Sequence, residues 1–304
     1  MTAPVIVKAL VKHNPPHAGT MTCETAFRTA ATHYLQQLAA QHQGTAAGDA
    51  TALHVMRVAL TRLRTTITLF SPMVAGDEQV RLAAELKWLN AHLGIVRDLD
   101  VALERLKKIK QQVSIKDRSW KQERAACQRH LTRALRSPRY QKLISDIAKW
   151  VETGDWSRKR TKKAVDRRAE PAEDYCARQL EQWRKKLLKK SRKLRELGAR
   201  KRHRVRLTNK RLSYAIEAAE QLVPSSETPA RQAMLKLLRK AQKSLGQLND
   251  DTRFRALVAA LGEGEMDGSD ILLDANQKKR LLRKAVKAYE ELAGIKPRKA
   301  AKAP

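Results

Sequence analysis

Aromatic and cysteine residues are both scarce in this 304-residue sequence. Five Trp, five Tyr and three Phe are present, so aliphatic residues and Ala must fill any core, and few rings are available to stack on nucleic-acid bases. The three cysteines, Cys23, Cys127 and Cys176, lie far apart and form no CxxC pair. This spacing makes a disulfide framework or a zinc site improbable and fits a reducing compartment.

Long apolar runs are missing as well. The sequence has no stretch of 18 uninterrupted apolar residues, so it predicts no membrane-spanning helix. The apolar run near the N-terminus, in MTAPVIVKALVKHNPP, is too short and too interrupted for a signal peptide. We therefore predict a cytoplasmic protein.

The sequence lacks the common signatures of phosphate-handling and hydrolytic enzymes. It contains no glycine-rich P-loop, no HExxH and no nucleophile elbow. Acidic residues near the motifs described below are few, and salt bridges are their ordinary use, so a two-metal phosphatase is disfavoured. We predict no catalytic residues, no metal site and no cofactor, and hence a protein that is not an enzyme.

Positive charge is abundant. The chain has 63 Lys and Arg against 31 Asp and Glu, a formal net charge of +32, and such a surplus predicts a polyanionic partner. Nucleic acid, an anionic membrane surface and polyphosphate all fit this description. The charge is densest over residues 158–211, where 23 Lys and Arg face six Asp and Glu, and we expect this segment to form a basic apron that attracts long polyanions.

Apolar residues follow a helical period along the whole chain, and no segment has the alternation of a strand, so the predicted fold class is all-α. The predicted helices cover residues 22–41, 54–70, 78–112, 118–136, 138–153, 172–197, 200–223, 228–262 and 270–293. Gly, Pro and charge runs divide the chain. We predict a flexible arm at 1–20, a first helical bundle at 21–153, a basic linker at 154–171, a second bundle at 172–295 and a disordered basic tail at 296–304.

One helical motif occurs twice, at residues 54–70 and 203–218. In each copy a His is followed by basic or polar residues at offsets of three, seven and ten, which on a helix fall within about 80° of one another. These stripes consist of His54, Arg57, Thr61 and Arg64 in the first copy and of His203, Arg206, Lys210 and Ser213 in the second, with Arg62 and Arg211 at their edges. The opposite faces are predicted core: Met56, Leu60, Leu63, Ile67 and Phe70, and Val205, Leu212, Ile216 and Ala219.

A second motif follows each copy of the first. LKWLNAHLG is followed by IVRDLD, and LRKAQKSLG by QLNDDT; the distance from His54 to Gly94 is 40 residues and from His203 to Gly246 it is 43. A second stripe results, made of Lys87, Asn90, Gly94 and Arg97 and, in its counterpart, of Arg239, Gln242, Gly246 and Asn249. The repetition predicts two homologous helical bundles related by a pseudo-twofold axis. Packing the two stripes together in both halves would make a cavity or channel with basic walls.

Basic walls of this kind favour a chain of phosphates, because Arg offers a planar fork of donors and Lys a point charge. A single HxxR is weak evidence, and many such residues face solvent or pair with a carboxylate; the recurrence of the stripe favours ligand contact. We expect Asp98 and Asp250 to tie helices together rather than to touch ligand. Sequence-neutral nucleic-acid binding stays open as the alternative function.

The two motif pairs, HVMRVALTRLR with LGIVRDLD and HRVRLTNKRLSY with LGQLNDD, resemble the CHAD family of conserved-histidine α-helical domains. The resemblance covers about residues 20–295 and implies two four-helix bundles with pseudo-twofold symmetry around a basic central channel. It also implies binding of inorganic polyphosphate, often at polyphosphate granules. By matching positions, the channel would be lined by His54, Arg57, Arg64, His203, Arg206, Lys210 and Arg211.

The sequence departs from the family pattern at three positions. Thr61 stands where a basic residue is usual, Ser213 where Arg is common, and Asn249 in place of the Arg of the RD pair. Some relatives carry a fused triphosphate-tunnel hydrolase marked by ExExK; this sequence has no ExExK, and we expect the binding module without that enzyme. The full set of predicted polyphosphate-binding residues is His54, Arg57, Arg62, Arg64, Lys87, Arg97, His203, Arg206, Lys210, Arg211 and Arg239.

Overall fold

A computed structural model describes residues 21–110, 118–223, 228–261 and 272–295. Within these ranges the secondary structure is helical and contains no strand, beyond an isolated antiparallel bridge between Thr22 and Pro171. The predicted all-α class is therefore confirmed. The arm predicted at 1–20 and the tail predicted at 296–304 lie outside the described residues.

The chain divides into two compact units, Met1–Ala172 and Glu173–Pro304. The helices of unit 1 are α1 (Cys23–Ala40), α2 (His42–Ala47), α3 (Ala50–Leu69), α4 (Ser71–Val74), α5 (Asp77–Lys110), α6 (Arg118–Arg136), α7 (Pro138–Thr153), α8 (Asp155–Arg158) and α9 (Lys162–Ala169). Those of unit 2 are α10 (Ala172–Ser191, whose first residue ends unit 1), α11 (Ala199–Leu222), α12 (Thr228–Leu261) and α13 (Ala275–Gly294).

The predicted apolar faces are buried in both units. In unit 1 the buried side chains include every predicted core residue of the first motif, and Leu82, Leu86, Leu89 and Leu93 of α5. Phe27 of α1 lies at the centre of an aromatic cluster, with edge-on contacts to Phe70, Trp150 and Trp156 at ring-centroid distances of 5.8, 5.6 and 5.3 Å. Four of the 13 aromatic residues thus meet in one cluster of unit 1, each ring burying a large apolar area.

Local signals set where α3 begins. Gly48 adopts a φ of +92°, a left-handed conformation that glycine adopts without steric cost. The next residue, Asp49, is the N-cap of α3, and its carboxylate accepts a hydrogen bond of 2.7 Å from the backbone N–H of Thr51. The first motif therefore enters its helix one turn before His54, and its stripe lies on regular helix from the start.

The segment at 154–171, for which we predicted a basic linker, holds α8 and α9 and packs within unit 1. Trp156 is buried and donates from its indole to the carbonyl oxygen of Trp150 at 2.8 Å. Arg168 is also buried; it donates to the carbonyl oxygens of Trp156 and Lys159 and forms an ion pair with Glu24 of α1 at 3.4 Å. A basic run thus supplies anchoring side chains to unit 1.

In unit 2, α12 packs against both α11 and α13. The predicted core residues Val205, Leu212, Ile216 and Ala219 are all buried. Helix α10 ends at Ser191 rather than near residue 197, and turns follow it. The Ser191 hydroxyl donates to the carbonyl oxygen of Leu188 at 3.1 Å, a local bond that competes with continuation of the helix.

A polar side chain, Asn209, lies in the core of unit 2, fully buried on α11. Its amide nitrogen donates to the carbonyl oxygen of Leu238 and to the side-chain oxygen of Gln242, both at 3.1 Å, and its oxygen accepts from the Tyr289 hydroxyl at 3.1 Å. One residue thus ties α11 to α12 and α13. Burial raises the pKa of the Tyr289 hydroxyl, which keeps it in the protonated form that donates.

We expect Asn209→Ala to lower the free energy of unfolding by about 2–4 kcal/mol, because it leaves the buried groups of Gln242 and Tyr289 without their partner and opens a cavity. Tyr289→Phe removes only one of these bonds and should cost about 1 kcal/mol. Urea denaturation followed by circular dichroism measures both. If both variants unfolded with the same urea midpoint as the wild-type protein, the network would have no stabilising role.

Candidate functional site

In unit 1 the two predicted motifs face each other across the packing of α3 against α5. Arg57 of the first motif reaches Gly94 of the second: a Cβ atom placed on Gly94 would lie 3.1 Å from Arg57 Nη1, which is buried. Gly94 therefore leaves room for the guanidinium on the neighbouring helix. In this unit the first-motif arginine on α3 thus packs against the second-motif glycine on α5.

The other predicted residues of unit 1 differ in their exposure to solvent. His54 and Lys87 are exposed, whereas Arg57, Arg62, Arg64 and Arg97 are half-buried. The Arg62 guanidinium lies over the ring of Tyr34, 5.9 Å from its centroid, and Arg97 forms an ion pair with Glu104 at 3.8 Å. Arg97 thus has an acidic neighbour that a polyanion would have to displace.

In unit 2 the two motifs meet through a polar chain. His203 Nδ1 and Asn249 Oδ1 share a hydrogen bond of 2.6 Å, and Asn249 Nδ2 donates to Asp250 Oδ1 at 3.3 Å. Asp250 in turn lies near the Arg206 guanidinium and raises its pKa, as does Tyr214, although burial has the larger effect and lowers the pKa of Arg206 overall. A cation that is partly removed from water attracts an anion more strongly than an exposed one.

The remaining predicted residues of unit 2 lie in distinct surroundings. The Lys210 ammonium lies over the ring of Tyr214, 5.4 Å from its centroid. Arg239 of α12 forms an ion pair with Glu217 of α11 at 3.1 Å. Arg211 is exposed and interacts electrostatically with Lys190 of α10. Ser213, at the end of the predicted stripe, is buried and donates to the carbonyl oxygen of Asn209 at 3.1 Å, so it faces the core.

A cavity of about 290 Å³ opens beside His203, at the start of α11. Cationic and apolar side chains share its walls, which include Arg200, Arg202, His203, Leu245, Leu248, Asn249 and Arg253. The hydrogen-bonded pair of His203 and Asn249 therefore borders open space on one side. An anion in this space would have guanidinium groups as well as the histidine for neighbours.

Two buried acids that the sequence analysis did not single out hold the second-motif helices in place. Asp100 on α5 accepts from Arg124 Nε at 3.0 Å, and Arg124 also donates to the carbonyl oxygen of Gly48. Asp251 on α12 accepts from the Leu273 backbone N–H at 2.8 Å and pairs with Arg255 and Lys278. The run of acids after each motif glycine was the available signal, but only tertiary contacts reveal which acid is buried.

Within the ranges that the structure describes, no three or more His, Cys, Asp or Glu side chains are placed to hold a metal ion. The same ranges contain no helix with the length and hydropathy needed to cross a bilayer. The predicted residues have Asn, Tyr and a few acids as neighbours. Arg and Lys side chains in such surroundings favour electrostatic binding of anions.

Comparison with known proteins gives a match to one family. The model of the CHAD domain matches residues 29–259, which include both copies of both motifs. No curated protein matches the chain. Among solved structures, the chain is similar to the crystal structure of the CHAD domain from the plant Ricinus communis, with a TM-score of 0.68 and 23% sequence identity. The alignment covers 94% of this chain and 98% of the plant chain.

The two motif glycines provide a matched test of the Arg57 contact. A Cβ at Gly246 meets nothing within 4 Å, so Gly246→Ala should raise the free energy of unfolding by up to about 1 kcal/mol through helix propensity. Gly94→Ala should gain less, because the Arg57 guanidinium must shift. Thermal and urea denaturation of the two variants measure the difference. Equal stabilisation of both would mean that Arg57 does not depend on the space above Gly94.

Proposed function

We propose that this chain, which belongs to the CHAD domain family, binds inorganic polyphosphate through the cationic stripes of its two motif pairs. The family as a whole is associated with polyphosphate binding. The observation that carries the proposal is the placement of the first-motif arginine in each unit: Arg57 lies against Gly94 and Arg206 lies near Asp250, with further cations along the same helices.

Polyphosphate fits these stripes for chemical reasons. It is a linear chain of charged phosphates with no sugar or base between them, so successive Arg and Lys side chains along one helix face meet successive charges. Arg57 and Arg206 supply planar donor forks, and Lys210 supplies a compact ammonium. Arg62, Arg64, Lys87, Arg97 and Arg239 would add contacts as the polymer displaces acidic neighbours such as Glu104 and Glu217. Each contact releases condensed counterions, which makes the binding tight and salt-dependent.

We also propose a basic central channel, a pseudo-twofold relation of the two bundles and association with polyphosphate granules. These three features are implied by the family resemblance. We propose a binding role without turnover, because the motif residues are donors of charge and hydrogen bonds rather than an activated nucleophile or a metal cage.

The triple variant Arg57→Gln, Arg206→Gln and Lys210→Gln tests the proposal. We expect the affinity for polyphosphate to fall by about tenfold for each charged hydrogen bond lost, and the slope of log affinity against log salt to decrease by about 2–3. Titration of a labelled polyphosphate at several salt concentrations measures both quantities.

The matched control is Lys149→Gln, Lys243→Gln and Lys279→Gln, which removes the same charge from exposed positions outside the stripes. Circular dichroism should give wild-type helicity for both triple variants. The proposal fails if the stripe variant, correctly folded, binds polyphosphate as tightly as the control variant does.

Nucleic-acid binding is the alternative, supported by the net charge of +32. A competition separates the two: labelled long-chain polyphosphate bound near physiological salt is challenged with duplex DNA and with RNA at equal phosphate concentration. We expect nucleic acid to displace polyphosphate only in large excess, since few aromatic rings are present to stack on bases. Equal competition by all three polymers would instead favour sequence-neutral nucleic-acid binding.

A further inference from the structure

A group of exposed cations lies where α10 and α11 approach each other in unit 2. Lys190 of α10 donates from its ammonium to the Thr208 hydroxyl of α11 at 3.4 Å. Lys186 of α10 and Arg204 and Arg211 of α11 act electrostatically on the same ammonium. We name Lys186, Lys190, Arg204 and Arg211 the α10–α11 cation cluster.

The cluster lacks compensating acids. Among the described residues, none of its four members forms an ion pair with a carboxylate. Desolvation and the positive charges of Lys186, Arg211 and Arg204 lower the pKa of the Lys190 ammonium. Folding therefore assembles like charges at some electrostatic cost, and a bound anion would relieve this repulsion.

The cluster lies on a different face of α11 from the stripe of His203, Arg206 and Lys210. At 100° per residue, Arg204, Thr208 and Arg211 are centred roughly 130° around the helix from that stripe. An anion bound to the stripe therefore leaves the cluster accessible. Arg211, which the sequence placed at the edge of the stripe, acts on Lys190 and lowers the pKa of its ammonium.

We propose that the α10–α11 cation cluster is a second polyphosphate-binding surface, so that one molecule holds two segments of polymer at once. The inference rests on the proposed function, and it adds bridging to binding. Polyphosphate suits the cluster better than nucleic acid does, because three cations lie near the Lys190 ammonium and no cluster residue offers a ring for base stacking. Bridging by many copies would condense long polymers into a dense phase.

The test uses the full chain and two pools of polyphosphate, one end-labelled with a fluorescence donor and the other with an acceptor. Wild-type protein should bring the two pools together and produce energy transfer. The variant Lys186→Gln, Lys190→Gln and Arg204→Gln should lose this transfer while binding a short polyphosphate as a matched control does. That control is Lys243→Gln, Lys279→Gln and Arg283→Gln, three exposed cations of α12 and α13.

Several outcomes would overturn the inference. Energy transfer that persists in the cluster variant would mean that bridging comes from another surface or from association of protein molecules. An equal loss in cluster and control variants would mean that only total charge matters. Loss of duplex-DNA binding with polyphosphate bridging unchanged would assign the cluster to nucleic acid.

The failure of the proposed function has a separate signature. If the triple stripe variant still binds short polyphosphate, and adding the three cluster substitutions abolishes that binding, the stripes are not the site while the cluster is supported. If wild-type protein binds no polyphosphate, both proposals are overturned together.

Discussion

Each unit depends on the packing of its first-motif helix against its second-motif helix. These helices are α3 and α5 in unit 1, and α11 and α12 in unit 2. This packing buries the apolar faces of both helices, and it brings Arg57 close to Gly94 in unit 1 and His203 to Asn249 in unit 2. The hydrophobic contribution must exceed the repulsion among the 63 Lys and Arg side chains of the chain. Burial of Leu60, Leu63, Leu89 and Leu93 on facing helices provides that contribution in unit 1.

Helical periodicity was sufficient to predict the long helices and their buried faces, because it depends on residues three and four positions apart, but it did not predict the short helices α2, α4, α8 and α9. The predicted ranges 118–136 and 138–153 coincide with α6 and α7, and the predicted core residues of both first-motif helices are buried. Features that depend on distant residues were missed. Nothing local marks Asn209 as a core residue, because its partners Leu238 and Tyr289 are distant in sequence. Likewise, nothing local distinguishes Asp100 or Asp251 from exposed acids. Trp156 and Arg168 are likewise anchored by contacts with Trp150 and Glu24 that no local pattern encodes.

The two units use the same motifs with different internal chemistry. Six positions after the motif histidine, unit 1 has the apolar Leu60 and unit 2 the hydrogen-bonded Asn209. The Arg57 guanidinium lies close to the Cα face of Gly94, whereas a Cβ at Gly246 would meet open space. An apolar contact tolerates small shifts, while a polar network with several fixed partners specifies one arrangement. At this position, therefore, hydrogen bonds fix the helices in unit 2 and apolar packing does so in unit 1.

The amide of Asn249 has a consequence for the histidine beside it. Because its nitrogen donates to Asp250, its oxygen is the atom that faces His203. An amide oxygen only accepts hydrogen bonds, so the ring hydrogen of neutral His203 is held on Nδ1. The other ring nitrogen, Nε2, then presents a lone pair, so the neutral ring offers an acceptor and not a donor on that side.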